Sequence, residues 1–371
     1  MTRALTARPF ADDAVAFAES VSALLAPLGG PWTAASFFFR RAAVEKMRAD
    51  LSPHRIARGN VFHVTPGNVP TQFLYSWLLS VLCGNTNVVR VSSKLGEDVR
   101  GVIQRIESLA KDRIREGNRI VSIAHDDPQL GELSRACDVR VLWGGDDTIT
   151  RLRQWPLRPD AKEVAFPDRF SLSLVSTAGW DAMDDAAKTR TVRDFVADVW
   201  IFDQMACSSP KALVWVGGDS PSDFYERVAA ELERTNVRAA LVTAIEKMRF
   251  GMGGLADERV ATVRRITNEL VVAETSDLDA LRGASWGGGL VVDVRVSSIS
   301  DLVRLLRPSD QTLTYAGLTS EQLDELVAVA ETAGVCRVVP FGRALAFTRV
   351  WDGMDLVEEL TRIVVVERER A

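Results

Sequence analysis

Four short segments carry residue types that can do chemistry. The first is Phe202-Asp203-Gln204-Met205-Ala206-Cys207-Ser208-Ser209-Pro210, a helix end and loop running into a strand. A thiol nucleophile needs access and a means of activation, and of the four cysteines only Cys207 sits among small polar loop neighbours. Cys83 ends an apolar helix, Cys137 precedes a core strand and Cys336 lies in one, so these three read as packing. The second segment, Thr65-Pro66-Gly67-Asn68-Val69-Pro70, joins a strand's C-terminal end to a helix, where free N–H groups face an anion. An amide donor at Asn68 suits a developing oxyanion, although the same residues also make an ordinary Pro/Gly/Asn turn.

The third segment, Gly84 to Lys94, places Arg90, Ser92 and Lys94 at a strand exit. Those types suit a phosphate on the adenosine half of a nucleotide, or simply a solvated strand end. In the fourth, Trp143-Gly144-Gly145-Asp146-Asp147-Thr148, two glycines allow a ligand close to the backbone and Asp146 or Asp147 can cap the next helix. This pair is not the GxGxxG fingerprint and is weak on its own.

These segments need a scaffold, and the chain is long enough for two domains at 371 residues. Short β-rich runs alternate with amphipathic stretches. Strands are expected at 61–64, 87–91, 120–123 and 139–143, with helices at 70–83 and 97–110. Beyond them come strands at 171–176, 211–216, 290–294, 311–316, 335–339, 345–349 and 363–366. Helices are expected at 189–203, 221–234 and 238–250, and a solvated one over 257–275. Successive β-helix-β steps imply parallel, doubly wound sheets, so the fold class is α/β with two domains in tandem. The first domain is expected over residues 1–177, with the candidate nucleotide-binding segments, and the second over 178–350, with the candidate catalytic Cys207. Residues 351–371 form a tail that returns to the first domain or to an oligomer interface.

Composition narrows the function. With 45 basic and 50 acidic residues the formal charge is -5, which gives no nucleic-acid footprint. Four cysteines and three histidines, without a CxxC or HExxH pairing, argue against disulfides and metal and for a reducing cytosol. The N-terminus does not suit a signal peptide, and the longest apolar run, 73–83, falls short of the roughly 20 residues of a membrane span. A cytoplasmic protein is expected.

Taken in order, the segments resemble the aldehyde dehydrogenase superfamily, and within it the LuxC-type fatty acyl-CoA reductases. The likeness runs from about residue 59 to 366 and is most specific in HVTPGNVP, GNTNVVRVSSK, WGGDDTI, FDQMACSSP and the C-terminal GVCRVVPFGRALAFTRVWDGMDLVEELTRIVVVE. It implies an aldehyde dehydrogenase-like fold and NADPH-dependent reduction of an acyl thioester to an aldehyde, with NADH as the lesser option. By the resemblance, Cys207 takes the acyl group and Asn68 joins its backbone N–H as oxyanion hole. Thr65, Pro66 and Gly67 line the cofactor loop, while Arg90, Ser92 and Lys94 lie near the adenosine ribose. Gly144 and Gly145 stand beside the pyrophosphate, and Gln311 and Thr312 near the nicotinamide ribose.

The superfamily's water-activating glutamate has no counterpart in register: 166–171 lacks one and Glu163 comes too early. That favours reduction, or capture by a thiol, over release of free acid. Two alternatives are the same thiol chemistry run in reverse and a non-catalytic nucleotide-binding subunit. The implied partners are an acyl-CoA or acyl-carrier substrate and an adenylate-forming acyl donor. A homo-oligomer would pair the terminal strand at 363–366. Cys207 follows a helix end, where the dipole disfavours a thiolate, and His63 is the histidine nearest the Asn68 loop, more often a satisfied core residue.

Overall fold

A computed structural model describes residues 6–67, 69, 71–93, 95–124, 126–283 and 286–367. Asn68, Lys94, Pro70 and His125 lie outside the described residues. The chain forms two compact units, Met1–Asp168 with Ala346–Ala371, and Arg169–Leu345.

The first unit contains β1 (Arg55–Ala57), β2 (Asn60–Val64), β3 (Thr86–Val91), β4 (Asn118–Ser122), β5 (Val139–Trp143) and β6 (Lys162–Phe166). The last five make a parallel sheet in the order β4-β3-β2-β5-β6. Strands covered on both faces read as continuous apolar runs, and β3 and β5 are buried at every position. The crossover from β2 to β3 is the helix Gln72–Leu82, buried along its whole length and apolar all round except for a few short polar side chains. The helix Glu97–Leu109 follows β3 and buries only Val102, Ile103 and Ile106, keeping a charged outer face. The chain order of the strands doubles back between β2 and β5, which makes their carboxyl ends the topological switch point. β6 escaped sequence reading because Lys162 and Glu163 interrupt its apolar pattern. The helices of the first 50 residues were also unread; Asp12–Leu25 sets Phe17 edge-on to Trp77 at 5.9 Å.

The second unit contains β7 (Phe170–Ser176), β8 (Ala212–Val216), β9 (Thr262–Arg265), β10 (Val271–Glu274), β11 (Leu290–Val296), β12 (Asp310–Ala316) and β13 (Arg337–Pro340). They pair in the order β13-β12-β7-β8-β11-β10-β9, parallel except at β9. Leu172, Val214, Val292 and Leu313 fill one face; Val175, Trp215, Phe224 and Val199 fill the other. The boundary at 177 therefore needs correction, because β7 pairs with β8 and β12 in the second sheet. The expected solvated helix over 257–275 is instead β9 and β10. Val271-Val272-Ala273 is a buried strand, while Arg264 and Arg265 charge the outer strand and protect the sheet edge. No strand forms over 345–349. Cys336, expected to pack, is exposed because it precedes the edge strand β13.

The C-terminal segment adds β14 (Val350–Trp351), β15 (Met354–Asp355) and β16 (Thr361–Ile363). β16 pairs antiparallel with β1, and Val364 N–H donates to the His54 carbonyl. The start of the terminal strand thus has a partner within its own chain, while Ile363, Val364, Val365 and Val366 remain exposed. Among the described residues no helix is long and apolar enough to cross a membrane.

Candidate functional site

At the switch point of the first sheet, the exits of β2 and β3 are tied together. Thr65 donates from both its N–H and Oγ1 to the Arg90 carbonyl, at 3.1 and 3.0 Å, and is itself buried. Pro66 is half-buried and Gly67 exposed. A Cβ on Gly67 would stand 3.0 Å from Ser92 Oγ, so the two exits touch through a position where a side chain is tight. Beyond Gly67 the helix Gln72–Leu82 begins. In its entry turn Thr71 Oγ1 and Gln72 Nε2 are buried without a hydrogen-bond partner. Orphaned polar atoms beside a glycine exit at a switch point fit a polar ligand such as a dinucleotide.

Ser92 also lines a slot of about 200 Å³ with Val91, Leu95, Arg100, Ile103 and Ile120. Arg100, exposed, is held on the loop after β3 by bonds to the carbonyls of Ser93 (2.7 Å) and Leu95 (3.0 Å). Arg90 differs from its expected setting. It is 1% exposed, with Nε on the Ile123 carbonyl at 2.8 Å and Nη1 on the Thr65 carbonyl at 3.4 Å. Its bonds stitch three strand exits together. Burial also lowers its pKa.

The β5 exit adds Gly144, half-buried, and Gly145, exposed. Gly145 is the N-cap of the helix Asp146–Arg153, with no side-chain cap bond, so neither Asp146 nor Asp147 caps it. Both carboxylates lie in the first turn, where they oppose an anion at that helix end. Two residues resolve on their packing. His63 is fully buried, paired through Nδ1 with Ser76 Oγ (2.7 Å) and through Nε2 with Asn87 Oδ1 (2.9 Å), and burial pushes its pKa down to about 4. It is a satisfied core residue. Glu163 pairs with Arg140 (2.5 Å) and Arg153 (2.8 Å), so its carboxylate is already engaged.

In the second unit Cys207 lies on the loop between the helix Asp185–Trp200 and β8, at the amino-terminal edge of the sheet. The helix ends at Trp200, well short of Cys207, and its dipole fades within the last turn. Cys207 is half-buried. Its carbonyl accepts from Ser171 Oγ at 2.7 Å. Upstream, Asp203 and Gln204 both adopt left-handed backbone, φ 49° and 62°, which non-glycine residues hold only when their surroundings impose it.

Those surroundings are explicit. Gln204 is fully buried, with Nε2 donating to the Pro210 carbonyl at 2.8 Å and Oε1 accepting from Gly289 N–H at 3.2 Å. Gly288 N–H donates to the Asp203 carbonyl at 2.7 Å. Lys211 Nζ donates to the carbonyls of Gln204 and Trp286, both at 2.5 Å. The thiol loop is thus clamped at both ends by Gln204, Lys211 and the Gly287-Gly288-Gly289 run. Local spacing in the sequence does not mark any of these as functional. The triple glycine and the glutamine inside the cysteine motif were the signals available.

Gln311 and Thr312 begin β12 at the same edge, Thr312 in register with Ser171. Both are buried, and Gln311 Oε1, Thr312 Oγ1 and Ser209 Oγ have no hydrogen-bond partner. The structure thus gathers Thr65, Gly67, Arg90 and Ser92 at one sheet edge, and Cys207, Gln311 and Thr312 at another. Among the described residues no cluster of side chains could hold a metal.

The family model described as acyl-CoA reductase (LuxC) matches residues 40–363, beginning earlier than the motifs suggest. A long-chain acyl-protein thioester reductase 2 of Photobacterium leiognathi is 25% identical over 186 residues, 48% of this chain and 36% of that protein. The match therefore spans only about a third of that relative's length. Among solved structures, PnpE in complex with nicotinamide adenine dinucleotide superposes with a TM-score of 0.69 at 14% identity, covering 97% of this chain and 85% of that one. Aldehyde dehydrogenase 21 of Physcomitrella patens superposes with a TM-score of 0.66 at 13% identity, covering 97% and 86%. The fold is aldehyde dehydrogenase-like.

Proposed function

This chain belongs to the acyl-CoA reductase (LuxC) family, and on that premise we propose that it reduces an acyl thioester to an aldehyde through an acyl group carried on Cys207. The observation that carries the reading is a half-buried thiol on a loop whose backbone is fixed from both sides. Preorganisation of this kind holds a nucleophile where its substrate arrives. The Cys207 thiolate attacks the thioester carbonyl, and the donor thiol leaves with the proton. Asn68 takes the oxyanion-donor role on the strength of its motif. The ammonium of Lys211, bonded to the carbonyls of Gln204 and Trp286, keeps the Cys207 loop in place.

A nicotinamide cofactor, when bound, supplies the hydride that takes the acyl group to the aldehyde level. The first sheet's switch point is the seat proposed for it, with Pro66, Gly67, Ser92, Gly144 and Gly145 along the accessible edge and the orphaned Thr71 and Gln72 behind. Thr65 and Arg90 shape that edge from within. The preference for NADPH rests on the basic residues after β3, now Lys94 and Arg100 rather than the enclosed Arg90. Gln311 and Thr312 stay assigned to the nicotinamide side by resemblance. With Glu163 held by two arginines, the reductive direction is favoured over release of free acid.

The acyl donor is a thioester of CoA or of a carrier protein, charged by an adenylate-forming protein. The chemistry fits a reducing cytosol. Exposed Ile363 to Val366 supply an apolar edge for a homo-oligomer. Purified protein incubated with a panel of acyl-CoAs and either NADPH or NADH should release aldehyde detectable by mass, faster with NADPH. Free acid as the sole product would refute the reading.

A further inference from the structure

A cavity of about 440 Å³ lies entirely within the second unit, beside the loop that carries Cys207. Asp203 and Met205, on the approach to Cys207, form one wall. The helix Leu241–Ala256 contributes Thr243, Lys247 and Phe250 to the lining, and Trp286 and Gly288 complete it. Its volume falls within the roughly 300–1,000 Å³ of small-molecule sites. Of the segments that the sequence marks for chemistry, the cysteine segment alone reaches it, through Asp203 and Met205.

The walls are of two kinds. Met205, Phe250 and Trp286 offer a thioether and two rings, with Phe250 and Trp286 packed at 5.1 Å. Thr243, Glu246, Arg249 and Asp203 offer hydroxyl and charge. Lys247 is 2% exposed, and its Nζ donates to the carbonyls of Gly288 (2.6 Å), Asn268 (2.7 Å) and Glu269 (3.0 Å). It ties the helix Leu241–Ala256 to the Gly288 backbone. A plain alkyl chain would cover the polar side without offering it a hydrogen bond, at a desolvation cost. A chain that alternates amides, a hydroxyl and methyl groups and ends in a phosphate meets both kinds of wall, with Arg249 exposed at the rim.

We infer that this cavity holds the pantetheine arm of the acyl donor, setting its thioester against the Cys207 loop. The inference rests on the acyl-transfer reading of Cys207. In that step the bond from the acyl carbon to Cys207 Sγ forms and the bond to the arm's sulfur breaks. The arm leaves as the free thiol, carrying the proton that Cys207 gave up, with no change of oxidation state.

The test compares three donors of one acyl group: the N-acetylcysteamine thioester, which lacks most of the arm, the pantetheine thioester and acyl-CoA. Acylation of Cys207 is followed by intact-protein mass without any nicotinamide. The inference expects kcat/KM for the pantetheine thioester to exceed that for the short analogue by about 10–100-fold, mostly through KM. Thr243→Phe, which fills the cavity, and Phe250→Ala, which strips its apolar wall, should each bring that ratio toward one. Comparing acyl-CoA with an acyl carrier protein then tells which source of the arm is preferred, and a preference lost in both variants supports the site in either case. Equal rates for short and pantetheine thioesters in the unmodified protein, or a ratio that survives both substitutions, would overturn it. If the short analogue still acylates Cys207 in those outcomes, the acyl-transfer reading stands and only the cavity's role falls. If no thioester acylates Cys207, it is the acyl-transfer reading that fails.

Discussion

The two sheets present their candidate chemistry at opposite ends of their strands. In the first, the carboxyl ends of β2 and β5 flank a switch point whose rim is glycine, proline and serine, with orphaned polar atoms behind it. In the second, the corresponding carboxyl-end crevice falls between β7 and β12, and backbone closes it. A Cβ on Gly179 would stand 1.8 Å from the Gly317 carbonyl oxygen, so the two segments meet there and leave no room for even a methyl group. The second sheet carries its thiol at the amino-terminal edge instead, where Ser171, Gln204 and Lys211 hold the loop. The rule for where open α/β sheets bind ligands needs a crevice that stays open, a condition that the carboxyl edge of the first sheet meets and that of the second does not. A nucleophile needs a fixed loop more than a crevice.

That contrast can be broken by substitution. Cys207→Ala should remove all but background thioester reduction, measured as aldehyde released; its loss would have no counterpart for any side chain of the first unit. Asn68→Ala should slow turnover by about 10²–10³-fold with the protein's thermal midpoint unchanged, since one oxyanion donor is worth that much. Gln204→Ala touches no substrate, yet it strands the Pro210 carbonyl and Gly289 N–H and releases two strained residues. We expect turnover to fall about 10²-fold and stability by about 2–4 kcal/mol, read by kinetics and urea unfolding.

In the first unit, Arg90→Ala should cost about 2–4 kcal/mol of stability and weaken NADPH and NADH alike in fluorescence titrations. A loss confined to NADPH would return Arg90 to the 2′-phosphate. The smallest effect near neutrality belongs to His63. Its folded pKa, about 4, lies below the ordinary histidine value, so the unfolded chain binds the proton first as pH falls. Stability is retained above about pH 6.5 and lost progressively toward pH 4, by at most on the order of 3 kcal/mol. Urea unfolding of His63→Gln across that window should show a flatter pH dependence.

Much of this was legible in the residues. The alternation of β-branched runs and amphipathic helices placed β2 to β5 and β7 and β8 within a residue or two, because strands buried on both faces leave little ambiguity. Cys207 stood out by its small polar neighbours, and His63 by being a lone histidine on a core strand. The rest failed for physical reasons. Arg90 looks like a phosphate ligand in one dimension, but its side chain turns inward to carbonyls contributed by Ile123 and Thr65. Residues 257–275 are rich in arginine and glutamate because β9 is an exposed edge strand, not a solvated helix. Gln204 lies inside the motif that was read, yet its work depends on Gly289, far away in sequence, and no local spacing reveals that bond.

The central claim is that Cys207 carries the acyl group, and its direct test is a mass measurement on the intact protein. Mixed with an acyl thioester alone, the protein should gain one acyl mass, mapped to the peptide containing Cys207. On addition of NADPH that mass should disappear as aldehyde appears in equal amount. Aldehyde formed by Cys207→Ala, or an acyl group found on Cys336 or elsewhere while Cys207 stays free, would contradict it.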